Sequence, residues 1–247
     1  MRAPVAVTVA SASLSGLLAL PLAAGLPLAA GDDSLSALPR RSAPPDHPCA
    51  LPEAAFEDFH ESDDVRIRIL RRPNGAPIVR ATTRVHAPPL AAAALVARVE
   101  GWPGWAPRVR AAASLAGTPP VFRLLVDAPW PFSDREYAIA PSLEEAAGRL
   151  IVFWDGATER LPPPAKGIVR ISRVRGGFSF EEEAGAGTTR VVYTHESDLG
   201  GHLPGWAEDG SNRRGPVGVL RGLRRALASA PFPPHRSILA ARSERIS

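Results

Sequence analysis

Six histidines, a single cysteine and a few short runs of mixed charge are the side chains through which this 247-residue chain could do chemistry. Of His47, His60, His86, His195, His202 and His235, only His195 and His202 lie close in sequence. No cysteine or carboxylate stands beside them at the spacing a metal site needs, so they read as a strand residue and a residue approaching a helix. Asp134-Arg135-Glu136 and His195-Glu196 are the constellations that could move a proton, if a strand turned them toward a cavity. A charged triplet just after Pro129-Trp130-Pro131 is more often a solvated ion pair in a turn. There is no G-x-S-x-G elbow and no Walker loop, and Gly185-Ala186-Gly187 sits between two strands with no helix to present its amides to phosphate. The sequence therefore offers no catalytic residue, no metal ligand set and no cofactor site.

The elements that would hold these residues are mostly strands. Val65, Ile67 and Ile69 alternate with Arg66 and Arg68. After the turn Pro73-Asn74-Gly75, Val79, Ala81, Thr83 and Val85 alternate with Arg80, Thr82, Arg84 and His86, which predicts a hairpin. A short helix is expected over 53–61, and Pro88-Pro89 opens an alanine-rich helix over 90–99. Strands are then expected over 109–115, 121–127, 135–140, 149–154, 167–174, 178–182 and 190–197. Turn residues separate them, among them Gly117-Thr118-Pro119, Asp155-Gly156 and Gly176-Gly177. This spacing indicates an antiparallel meander rather than alternating strand–helix units. From Val217 to Ala228, Val219, Leu220, Leu223, Ala226 and Leu227 form an apolar arc opposite Arg221, Arg224 and Arg225, so a final helix buries one face.

Composition bounds the rest. The chain is 45% hydrophobic and 22% charged, with 29 basic against 25 acidic residues, a net charge of +4 that does not call for nucleic acid. Ala3 to Gly31 carries no charge and reads as a secretory signal peptide over 1–31, with an uncleaved membrane anchor as the alternative. Export invites disulfides, yet Cys49 is the only cysteine, so none can form within the chain. The Pro-rich stretch 32–52 reads as a linker, 53–230 as one domain and 231–247 as a tail.

The run Asp127-Ala128-Pro129-Trp130-Pro131-Phe132-Ser133-Asp134-Arg135-Glu136-Tyr137 resembles the START-domain pattern of a tryptophan, a proline and an Asp-Arg-acid-aromatic sequence joining two strands. Gly177-Phe178-Ser179-Phe180 and Thr188 to Tyr193 are similar to successive hairpin strands of that family. Asp198-Leu199-Gly200-Gly201-His202-Leu203-Pro204-Gly205-Trp206 is similar to its approach to the last helix, and Trp102 and Trp105 match a helix-end position. The resemblance runs from about Phe56 to Leu227. It implies an α+β helix-grip fold, a curved antiparallel sheet wrapped around a long C-terminal helix, with a tunnel for a lipid or sterol-like molecule.

On that basis Tyr137, Ile139, Phe153, Phe178, Phe180, Val191, Tyr193, Leu203, Trp206, Leu220 and Leu223 are expected either to line the cavity or to form plain core. Three glycines at 200, 201 and 205, with Leu203 and Trp206, suggest a lid, and the arginines that follow suggest transient contact with anionic membrane. The expected role is a carrier or sensor of an apolar ligand. The alternative is a cyclase- or hydrolase-type enzyme of the same superfamily, which would need a paired acid and base inside the cavity.

Overall fold

The computed structural model describes residues 34–73, 75–184, 187–200 and 205–229. Ten strands form one curved, open sheet: β1 (Glu57–Ser62), β2 (Val65–Leu70), β3 (Ile78–Val85), β4 (Val109–Leu115), β5 (Val121–Val126), β6 (Asp134–Ala146), β7 (Arg149–Gly156), β8 (Ile168–Arg170), β9 (Val174–Glu183) and β10 (Thr188–Ser197). Their order is β1-β2-β3-β10-β9-β7-β6-β5-β4. All neighbours along this path are antiparallel, and β8 adds a short parallel pairing to β6. Two helices lie on one face. α1 (Pro89–Ala97) packs over β7 and β9, and α2 (Gly205–Ser229) packs over β2 and β3.

The alternation predicted for β2 and β3 holds in three dimensions. Val65, Ile67, Ile69, Val79, Ala81 and Val85 enter the main core beneath the helices, and Arg66 and Arg84 turn to the opposite, outer face. Leu220, Leu223 and Leu227 of α2 close that core from above, all nearly inaccessible. Leu223 alone, fully buried, removes enough apolar surface to stabilise the fold by about 1.5–3 kcal/mol.

Four local expectations are corrected. Residues 53–61 do not form a helix: a single 3-10 turn at Glu53–Ala55 leads into β1. The strand expected over 167–174 is only Ile168–Arg170. Gly176-Gly177 is not a turn but lies inside β9, because neighbouring groups leave no room for side chains there. A Cβ on Gly176 would meet the Thr194 carbonyl at 2.5 Å, and one on Gly177 the Val152 carbonyl at 2.6 Å.

The fourth correction concerns the linker. Its described part, 34–52, packs against the sheet, with Leu35 and Leu38 in the main core and His47 fully buried on the outer face. The Cys49 amide donates to His47 Nδ1 at 3.2 Å, which leaves the ring proton on Nε2, 3.2 Å from the Trp154 carbonyl it donates to. Pro-rich sequence without an apolar period looks like a linker, yet here single apolar and polar side chains tie it down. The proposed signal peptide and C-terminal tail lie outside the described residues.

Candidate functional site

The strand registers assemble a wall across the face beneath the helices. One row runs Leu150–Phe180–Val191–Thr83 across β7, β9, β10 and β3. The next runs Val152–Phe178–Tyr193–Ala81, and the third Trp154–Gly176–His195–Val79. Because a strand alternates with period two, every side chain in these rows points the same way. The aromatic members touch: Phe178 and Phe180 stack with centroids 6.0 Å apart, Phe178 lies 4.7 Å from Tyr193, and Tyr193 lies 5.9 Å from His195.

Trp102 and Trp105 complete the wall from the segment after α1. Trp102 meets Trp154 edge-on at 5.3 Å, and Trp105 meets Phe178 at 6.4 Å. Trp102 donates its indole N–H to the Val96 carbonyl at 2.9 Å. From β6 come Ile139, fully buried, and Tyr137, half-buried, both packed with the same core.

Two polar side chains on this wall behave unusually. Tyr137 and His195 each keep some accessible surface, yet burial dominates their titration. Burial pushes the Tyr137 hydroxyl up to about 12 and the His195 imidazole down to about 4, with Glu196 opposing the latter. Burial likewise raises Tyr193, with Tyr137 contributing. On the same wall, the Trp105 indole nitrogen and His195 Nδ1 are buried without a hydrogen-bond partner.

The carboxylates that might have joined His195 point elsewhere. Glu136 lies on the outer face, 1% exposed, clamped by Arg123 at 2.6 Å and Arg170 at 2.6 Å. Burial would raise its pKa, but the hydrogen bonds from Arg170 and Arg123 prevail and hold it below the usual carboxylate range. Glu196, also fully buried on the outer face, pairs with Arg72 and with Arg175 at 3.1 Å. Arg135 is half-buried and directs its Nε toward the Leu199 carbonyl, 3.4 Å away, at the approach to α2.

Of the expected wall residues, Tyr137, Ile139, Phe178, Phe180, Val191, Tyr193, Leu220 and Leu223 come together in one core. Phe153 does not. It faces outward, edge-on to His47 at 5.1 Å and beneath the Arg41 guanidinium at 5.0 Å. Strand β7 is apolar on both faces, so alternation could not reveal its orientation. Leu203 and the other residues of 201–204 fall outside the described residues, as does the Trp206 side chain. Gly200 is not loose as expected: at φ +62°, its α-carbon is packed so that a Cβ would meet the Arg170 carbonyl at 2.8 Å. Trp105 and His195 were not among the expected wall residues, although the Trp102/Trp105 pair and the strand placement of His195 were the signals that could have found them.

Two hollows among the described residues lie on the outer face. One, about 520 Å³, is bordered by charged residues of β1, β2, β3 and β10. The other, about 410 Å³, lies beneath the 43–53 segment, with Arg80, Glu144 and Arg149 among its lining. Their charged rims suit neither a lipid chain nor a sterol ring.

No family model matches the sequence. An uncharacterized protein of Pseudomonas aeruginosa is 30% identical over 101 residues, 41% of this chain, and the match spans 50% of that relative, about half its length. Among solved structures, the STAR-related lipid transfer protein from Xanthomonas axonopodis superposes with a TM-score of 0.64 at 23% identity, covering 71% of this chain and 99% of that one. Human STARD10 gives 0.64 at 16% identity over 78% of this chain and 83% of that one. Human StAR-related lipid transfer protein 5 gives 0.61 at 17% over 72% and 88%. The chain has the START-like helix-grip fold.

Proposed function

We propose that this protein binds one apolar molecule, a lipid or sterol-like compound, between the sheet and α2, and acts as its carrier or sensor. The observation that carries this reading is the aromatic and aliphatic wall of Phe178, Phe180, Tyr193, Ile139 and Trp105 beneath the helices, on which Trp105 Nε1 and His195 Nδ1 are buried without hydrogen-bond partners. Burying a ligand against such a wall is favourable by about 25 cal/mol for each Å² of apolar surface removed from water. The lipid-transfer proteins with the same fold support the ligand class. The enzymatic alternative gains nothing from Glu136 and Glu196, both directed to the outer face and neutralised by arginines.

Trp130, 93% exposed in the loop before β6, supplies an interfacial side chain for transient contact with a membrane surface. Export of the chain by its uncharged N-terminal run belongs to the same reading, and N-terminal sequencing of protein recovered outside the cytoplasm tests it. Transfer itself is tested by following a fluorescent phospholipid and a fluorescent sterol between donor and acceptor vesicles. Protein-dependent movement or stable capture of either supports the proposal; neither transfer nor capture contradicts it.

A further inference from the structure

A buried indole N–H without an acceptor is rare, because leaving it unpaired forfeits the bond it made with water. Trp105 is 8% exposed and its Nε1 has no partner, whereas the adjacent Trp102 spends its own N–H on a backbone carbonyl. The difference is local: Trp102 reaches back to Val96, and Trp105 is turned toward Phe178 of the wall. Along that same wall, linked through Phe178 and Tyr193, His195 holds a second unpartnered buried nitrogen, Nδ1. The wall around them is mostly aromatic and aliphatic, Tyr193 among it, and neither nitrogen has a hydrogen-bond partner.

Resting on the carrier reading, we propose that the ligand is an oxygenated apolar molecule, whose hydroxyl or carbonyl oxygen accepts the Trp105 indole proton, with His195 Nδ1 as a second polar contact. Indole nitrogen can only donate, so the matching ligand atom must be an acceptor. A neutral imidazole presents either a lone pair or a proton at Nδ1, so a hydroxyl, which both donates and accepts, satisfies either tautomer. A hydrocarbon of the same shape would fill the space and leave both nitrogens unpaired. The site would reject it for that reason rather than by clash.

The test uses pyrene and pyrenemethanol, two fluorescent probes that share a ring system and differ by one hydroxymethyl group. Their affinities are measured for the full chain, for Trp105→Phe and for His195→Phe. The quantity read is the ratio of the two affinities, which cancels changes in apolar fit caused by the smaller ring. Wild type is expected to favour the alcohol, and Trp105→Phe to reduce that preference about three- to tenfold while still binding pyrene, which also shows that the variant is folded. A smaller reduction is expected for His195→Phe. Binding of both probes with a ratio unchanged by Trp105→Phe would overturn this inference and leave the carrier reading standing. Failure of wild type to bind either probe while it captures phospholipid or sterol from vesicles would overturn this inference alone, and failure to bind the probes and the lipids alike would overturn the carrier reading itself.

Discussion

Gly222 of α2 sits so close to Trp105 that a Cβ added to it would stand 2.0 Å from the Trp105 carbonyl oxygen. That contact lets the helix settle onto the segment carrying the aromatic wall. Gly222→Ala should therefore force helix and segment apart and destabilise by about 1–3 kcal/mol, since backbone cannot yield as a side chain can. Gly210 and Gly215 of the same helix have nothing within 4 Å, and alanine there should stabilise by about 0.4–1 kcal/mol. Denaturant melts of the three variants check the opposite signs.

Leu223→Ala should cost about 2–5 kcal/mol, because the side chain is wholly buried between α2 and the sheet. A loss below about 0.5 kcal/mol in the same melts, the range of surface substitutions, would place this residue outside the core.

Acid should weaken the fold through its histidines before its carboxylates. His195 and His47 both have lowered pKa values, chiefly from burial, so the folded state binds fewer protons than the unfolded chain. Their contribution is complete above the unfolded value of about 6.5 and is lost as the pH falls toward the folded value, about 4 for His195. His195→Phe should flatten the stability profile between those limits. Melting temperatures measured across that range decide it, and an unchanged slope would remove His195 from the account.

Glu136→Ala leaves Arg123 and Arg170 without the carboxylate both address. Both arginines keep some exposure, so water relieves part of the loss, and the expected cost is about 1.5–3 kcal/mol. Equilibrium unfolding against wild type measures it. Ligand affinity should be unaffected, because this cluster lies on the outer face.

How far the sequence revealed this architecture depended on how a strand is buried. β2 and β3 were legible because polar residues, Arg66 and Arg68 in one and Arg80, Thr82 and Arg84 in the other, alternate with apolar ones, and the apolar arc of α2 marked its buried side. Phe153 was not, since Leu150 to Trp154 are apolar on both faces and only the packing of His47 and Arg41 distinguishes them. Gly176-Gly177 was misread because a close approach of neighbouring backbone and a turn both select glycine. The wall residues Trp105 and His195 became recognisable only once register and ring contacts placed them beside Phe178 and Tyr193.

Trp130→Ala should leave stability within about 0.5 kcal/mol, since the side chain is almost fully exposed. It should weaken cosedimentation with phospholipid vesicles. Vesicle binding equal to wild type would assign the membrane contact elsewhere.

The central claim, that this protein holds one apolar molecule between sheet and α2, is tested most directly by native mass spectrometry of the full-chain protein before and after incubation with lipid vesicles. The account predicts a bound mass of one lipid- or sterol-sized molecule per chain, released on denaturation and extractable into organic solvent. A protein that carries no such mass in either condition would contradict it.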